Sequence, residues 1–231
     1  MFYNDWKPVY KKILKDFNFK EQEDTKSTKV LDDIIKKKKN FSIKKLETLI
    51  QGKEVVIFGA GPSLKNMIIK HENKFLNKIK ITADGATTAL LEKNIFPDII
   101  VTDLDGKISD QIRTNLQGSI TIVHAHGDNI QTIKKYVPKF TGNIVGTTQT
   151  NPSSFERIHN FGGFTDGDRA VFLADHFGAE KINLIGFDYN NEIGEYSYPE
   201  KKNKKIKLQK LKWCKKLIDI LQKENQNIKY L

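Results

Sequence analysis

Apolar positions recur at two different periods along this 231-residue chain, and the period changes near residue 52. Before that point Trp6, Val9, Tyr10, Ile13, Leu14 and Phe17 fall three and four residues apart, which places them on one face of a helix. Two more helical segments are predicted at 30–38 and 42–49. Ser42 is placed to cap the second, its hydroxyl accepting from first-turn amides. From Lys53 onward short β-branched runs alternate with helical stretches, the signature of repeated βαβ units and a parallel sheet. About six strands are predicted, at 54–58, 79–83, 99–101, 120–124, 143–146 and 182–185, with a further edge strand fitting 228–231. Helices are predicted at 63–70, 86–93, 109–116, 129–136, 168–177 and 206–224, with Gly178 at the position that ends a helix in a left-handed residue. The strands are apolar throughout, as strands covered on both faces are.

The expected architecture is therefore α/β: a Rossmann-like, open, mostly parallel sheet over residues 52–231 that ends in a long helix. Residues 1–51 form an N-terminal helical extension. A single cysteine, Cys214, excludes an intramolecular disulfide framework and a cysteine-rich zinc site; it suits a reducing compartment, so a cytoplasmic protein is expected. The opening residues alternate charged and aromatic groups, and no stretch approaches the length of a membrane span, so no membrane association is expected. A net charge of +11 admits a nucleic-acid partner. The lysines, however, gather at 36–39, 44–45, 134–135 and 201–216 around an aspartate-rich middle, and a lysine-rich, AT-biased or heat-adapted composition accounts for them, so no nucleic-acid partner is expected.

In open parallel sheets ligands bind beyond the carboxyl ends of the strands, and here those positions are polar. The first strand is followed by Gly59-Ala60-Gly61-Pro62-Ser63, which fits a phosphate cradle at a helix N-terminus and equally an ordinary tight turn. Leu64 stands where a dinucleotide fingerprint has its third glycine, so a standard NAD site is not expected. Asp84-Gly85 follows the second strand, and Asp103-Leu104-Asp105-Gly106 the third. Residues two apart in an extended chain face the same way, so Asp103 and Asp105, with Asp84 next door, are candidate ligands of a hard divalent cation such as Mg2+; turn formation is the alternative. His124 and His126 after the fourth strand suit phosphate contacts or proton handling better than a transition metal, and Asp128 fits a metal ligand or a helix cap. Capping explains one of Thr165, Asp166 and Asp168 but not the cluster, and Arg169 fits a phosphate clamp or an ion pair. Asp188 is placed to receive the donor edge of a heterocycle, beside Phe187 and Tyr189. Cys214, inside an amphipathic helix, reads as a buried thiol rather than a nucleophile.

The elements Ala83-Asp84-Gly85-Ala86, Pro97-Asp98 through Thr102-Asp103-Leu104-Asp105-Gly106, and Thr165-Asp166-Gly167-Asp168-Arg169-Ala170 resemble those of the thiamine pyrophosphokinase-like superfamily. With Gly59-Ala60-Gly61-Pro62-Ser63-Leu64, His124-Ala125-His126-Gly127-Asp128-Asn129 and Leu184 to Tyr189 in the same order, the chain more closely resembles the archaeal 6-hydroxymethyl-7,8-dihydropterin pyrophosphokinases, over about residues 52–189. The resemblance implies diphosphate transfer from ATP to the hydroxymethyl group of a reduced pterin. It implies Mg2+ on Asp84, Asp103 and Asp105, with Asp128, Asp168 or His126 completing the metal shell or taking the hydroxyl proton. Gly59, Gly61, Pro62, Ser63, Asp84, Gly85, Thr165, Asp166, Asp168 and Arg169 would surround ATP, and His124 and Asp188 the acceptor. Thr102 and Gly106 depart from the glycine and serine of the thiamine enzymes, whose C-terminal β-sandwich has no counterpart, so thiamine is not the expected acceptor. A nucleotide sensor without turnover remains the alternative to an enzyme, although converging carboxylates would repel phosphate without a cation. Doubly wound enzymes often pair, and a homodimer is the default expectation.

Overall fold

The computed structural model describes residues 3–38, 43–190, 192–198 and 203–231. Its strands are β1 Glu54–Phe58, β2 Ile79–Ala83, β3 Ile99–Thr102, β4 Ile120–Ala125, β5 Ile144–Thr148, β6 Ile158–His159, β7 Lys181–Ile185 and β8 Ile228–Tyr230. They form one all-parallel, eight-stranded sheet in the order β6-β5-β4-β3-β2-β1-β7-β8. β6 escapes the sequence pattern because two residues cannot display an alternation. The helices are α1 Tyr3–Phe17, α2 Glu21–Ile35, α3 Ile43–Ile50, α4 Leu64–Phe75, α5 Ala86–Leu91, α6 Ile108–Leu116, α7 Ile130–Tyr136, α8 Asp166–His176 and α9 Lys204–Glu224. Ser42, the expected cap of α3, lies outside the described residues. Gly178 ends α8 with φ +68°.

The chain steps outward from β1 to β6 and then returns to the other side of β1 as β7. Right-handed crossovers put helices on one face during the outward run and on the opposite face after the reversal. Alternate residues of β1 accordingly enter different cores. Val55 and Ile57 pack with α1, α3, α8 and α9, whereas Val56 and Phe58 pack with α4 and α5. A third cluster joins α2 and α7 to Val123, Ala125 and Ile144.

The first two helices thus lie on opposite faces, and the turn between them, at Asn18 to Lys20, crosses the carboxyl edge of the sheet. α1 has the expected face, with Trp6, Tyr10 and Ile13 buried. α2 begins nine residues before the predicted 30–38, at Glu21, because its first half buries Asp24, Ser27 and Thr28. A polar stripe leaves no trace in hydrophobic periodicity. Each of those residues finds a distant partner: Ser27 donates to Asn129 (2.9 Å), and the Thr28 and Thr148 hydroxyls share a bond of 2.7 Å.

Candidate active site

Strand ends and helix starts meet around a pocket of about 600 Å³ at the carboxyl edge of the sheet. Its floor is acidic. Asp84 leaves β2 in a left-handed conformation (φ 44°), which aspartate tolerates better than most residues. Its Oδ1 accepts from Thr102 Oγ1 and Gln111 Nε2, both at 2.7 Å, so Thr102 orients the carboxylate. A side chain at Gly106 would run into the same carboxylate. Asp103 follows β3, and Asp166 opens α8. One carboxylate oxygen from each of Asp84, Asp103 and Asp166 lies within 4.8 Å of the others.

Their surroundings push the three carboxylates in different directions. Burial, reinforced by the charges of Asp105, Asp166 and Asp103, pushes Asp84 well above the usual carboxylate range. Asp166 is pushed up to about 7 by burial and the Asp103 charge, although Arg169, at 3.0 Å, opposes the shift. Burial would also raise Asp103, but hydrogen bonding and charge from His126, with Arg169 and Lys210, hold it well below the range. Asp103 Oδ1 is buried and has no hydrogen-bond partner among the described residues. Three hard oxygens with one of them orphaned fit a hard divalent cation.

Asp105 lines the pocket but is exposed and does not belong to this group of three. Strand alternation ends before this pair: β3 stops at Thr102, and buried Leu104 takes φ 68°, so the chain is not extended from Asp103 to Asp105. Asp166, more than sixty residues away, stands in the third position.

His126 lies between two carboxylates, Nε2 at 3.2 Å from Asp103 and Nδ1 at 2.5 Å from Asp128. Burial alone would lower its pKa, yet the two partners raise it to about 9, which makes it a cation and a donor near neutrality. The imidazolium in turn lowers Asp128, whose side chain is 88% exposed. His124 is held neutral by burial; it sits beneath the pocket floor with Nδ1 at 3.1 Å from Thr147 Oγ1. Asn129 uses its whole amide. Its Nδ2 donates to Asp103 O (3.0 Å) and His124 O (2.8 Å), while Oδ1 accepts from His126 N (3.1 Å) and Ser27. One buried side chain therefore fixes the loops after β3 and β4 against α2.

The glycine turn after β1 is already satisfied by protein. Asp188 Oδ2 accepts from Ser63 N (2.9 Å) and Ser63 Oγ (2.8 Å), and side chains at Gly59 or Gly61 would strike Gly186 O. Gly59, Gly61 and Asp188 line the pocket, whereas Pro62 and Ser63 lie behind it. Gly85 lines it under the Tyr196 carbonyl, where no side chain fits. In the α8 cluster, Asp168 is a cap: its oxygens accept from Phe164 N (2.5 Å), Thr165 N (2.9 Å) and the Thr165 hydroxyl. Thr165, Asp166 and Arg169 line the pocket, and Asp168 does not. Lys207 and Lys210 of α9, which look like tail lysines in the sequence, line the opposite wall, and Lys210 Nζ sits 5.7 Å from the Phe164 ring centre. Their spacing of three on one helix face was the available signal.

A doubly wound parallel sheet with an acidic cluster and a basic wall at its carboxyl edge defines a Rossmann-like α/β protein. The family model described as 6-hydroxymethylpterin diphosphokinase MptE-like matches residues 28–194, and the chain belongs to this family. It is 45% identical to the 6-hydroxymethyl-7,8-dihydropterin pyrophosphokinase of Methanocaldococcus jannaschii, with 98% of each chain covered. The proteins of the same name from Methanothermobacter thermautotrophicus and Pyrococcus furiosus are 41% and 40% identical, the alignments covering 94% and 96% of this chain and 94% of each relative. A solved MAf glycosyltransferase from Magnetospirillum magneticum AMB-1 aligns with 69% of this chain and 28% of its own at 15% identity, with a TM-score of 0.34, too low to carry an argument.

Proposed function

We propose that the protein is an ATP-dependent diphosphokinase that transfers diphosphate to the hydroxymethyl group of 6-hydroxymethyl-7,8-dihydropterin and releases AMP. The observation that carries this reading is the group formed by Asp84, Asp103 and Asp166, with its orphaned Asp103 oxygen, inside the pocket of a chain from this family. These three residues would hold Mg2+, with Asp105 at the mouth as a further ligand. Mg2+ bound there neutralises polyphosphate charge.

The chain's own groups do the positioning. Arg169, Lys207 and Lys210 line the wall that faces the phosphates. The His126 imidazolium, whose two N–H groups are held by Asp103 and Asp128, adds positive charge on that side of the pocket. Asp188, which the resemblance assigns to the acceptor, lines the β1–β7 end of the pocket and is assigned instead to the amino group of the nucleotide base. His124, which the resemblance groups with it, is not part of the lining. The acceptor hydroxyl oxygen bonds to the β-phosphorus, the bond from that phosphorus to the AMP oxygen breaks, and the hydroxyl proton passes to Asp105, since His126 already carries its proton. Catalysis is then chiefly orientation and electrostatics. No described helix is long and apolar enough to cross a membrane. We place the enzyme in the cytoplasm as a homodimer acting on small molecules without nucleic acid, with part of its positive charge spent on the pocket wall.

Purified protein incubated with ATP, Mg2+ and the pterin should yield AMP and a pterin diphosphate in equal amounts, with thiamine inert in a parallel reaction. Failure to form AMP with the pterin would overturn the reading.

A further inference from the structure

The two ends of the pocket offer a ligand different things. Around β1 and β7 the lining combines the glycine backbone of Gly59, Gly61 and Gly186 with the side chains of Phe187, Asp188 and Tyr189. This is the switch point of the sheet, where nucleotides bind in open α/β folds. Around β4 and β5 the wall is side chain. Gln149, directly after β5, is 3% exposed, and its Nε2 donates to Asp24 Oδ2 at 2.8 Å. A carboxylate that already accepts from Tyr10 can only accept, so the orientation of the amide is settled and Oε1 is left over. That oxygen is buried and has no hydrogen-bond partner among the described residues. Phe19 lines the same end with 41% of its surface exposed, its ring backed by Phe17 at a centroid distance of 5.3 Å. An orphaned acceptor beside a supported aromatic ring suits a flat heterocycle with an N–H edge.

Resting on the diphosphokinase reading, we propose that this end is the acceptor subsite: Gln149 Oε1 takes an N–H of the pterin 2-amino group, Phe19 packs on the ring, and the nucleotide lies at the β1–β7 end. The ends of β3 and β5 are two strand spacings apart, roughly 10 Å. The 2-amino group is the part of the bicycle farthest from the hydroxymethyl arm. A pterin anchored at Gln149 therefore points its alcohol back toward Asp103, and the diphosphate crosses the carboxylate group from one end to the other.

Titration of the full chain with the pterin and, separately, with Mg-ATP tests this. Gln149→Leu should weaken pterin binding about tenfold and leave Mg-ATP within about twofold, which also reports that the variant is folded. A 2-dimethylamino analogue should lose the same factor on the unaltered protein and nothing further on the variant. Equal binding of analogue and pterin by the unaltered protein, or loss of ATP rather than pterin affinity in Gln149→Leu, would overturn the subsite alone. An unaltered protein that binds ATP but neither binds nor converts the pterin would overturn the diphosphokinase reading with it.

Discussion

Two sets of carboxylates lie in or beside the same pocket and are treated in opposite ways. Asp24 accepts from the Tyr10 hydroxyl (2.5 Å), Gln149 Nε2 (2.8 Å) and Gly127 N (2.8 Å), and Asp168 is likewise saturated by donors from its own cap. Asp84, Asp103 and Asp166 face one another, and Asp103 keeps an oxygen without a donor. Donor-saturated carboxylates hold the scaffold together. Mutually opposed ones carry a cost that falls on Asp84 and Asp166, which a bound cation would offset.

The contrast predicts opposite consequences for similar substitutions. Asp166→Asn should lower kcat/KM by about a thousandfold or more while leaving the melting temperature of the metal-free protein unchanged or higher, since burial and the Asp103 charge oppose the ionised form of Asp166. Steady-state kinetics beside calorimetry reads both. Asp24→Ala should instead cost about 3 kcal/mol of stability, because three donors lose their acceptor, and denaturant unfolding measures it. Magnesium sharpens the comparison: at a hundred times its dissociation constant it should stabilise the unaltered protein by about 2.7 kcal/mol and Asp103→Ala far less.

A pH scan isolates the opposed set. A carboxyl whose folded pKa is raised binds more protons folded than unfolded between its unfolded value near 4 and its folded value, so stability falls as pH rises through that window. With Asp166 raised to about 7 and Asp84 raised as well, the chelator-treated protein should lose up to about 4 kcal/mol from Asp166 between about pH 4 and 7, with a further loss from Asp84. Magnesium should flatten the loss. The smallest effect belongs to Ser27→Ala, which removes one bond to Asn129 and should cost about 1 kcal/mol by denaturant unfolding with little change in activity.

Much of the scaffold was legible from residue types alone. β1 and β2 have the predicted limits, and the long C-terminal helix starts two residues early, because β-branched runs and apolar spacing act over a few residues. Where packing is polar the pattern goes blind, as in the first half of α2, whose buried face is Asp24, Ser27 and Thr28. The site divides in the same way. Asp84 and Asp103 were visible as polar residues at strand ends. Asp166 could not be told from the capping residues beside it, since the sequence does not say which carboxylate turns back onto its own helix.

By itself the sequence determined the elements, the parallel sheet and the edge at which the chemistry gathers, because all three follow from local periodicity and the polarity of strand ends. The tertiary structure alone decided which charges meet. Asp166 rather than Asp105 joins Asp84 and Asp103 within reach of one cation, the return of the chain to β7 carries α8 and Asp166 across β2 and β3, and α9 brings Lys207 and Lys210 over the opposite wall. Likewise the turn at Asn18 to Lys20 sets Phe19 near Gln149, which is 130 positions further along. Those meetings depend on strand order and crossover hand, and no short-range pattern in a chain encodes them.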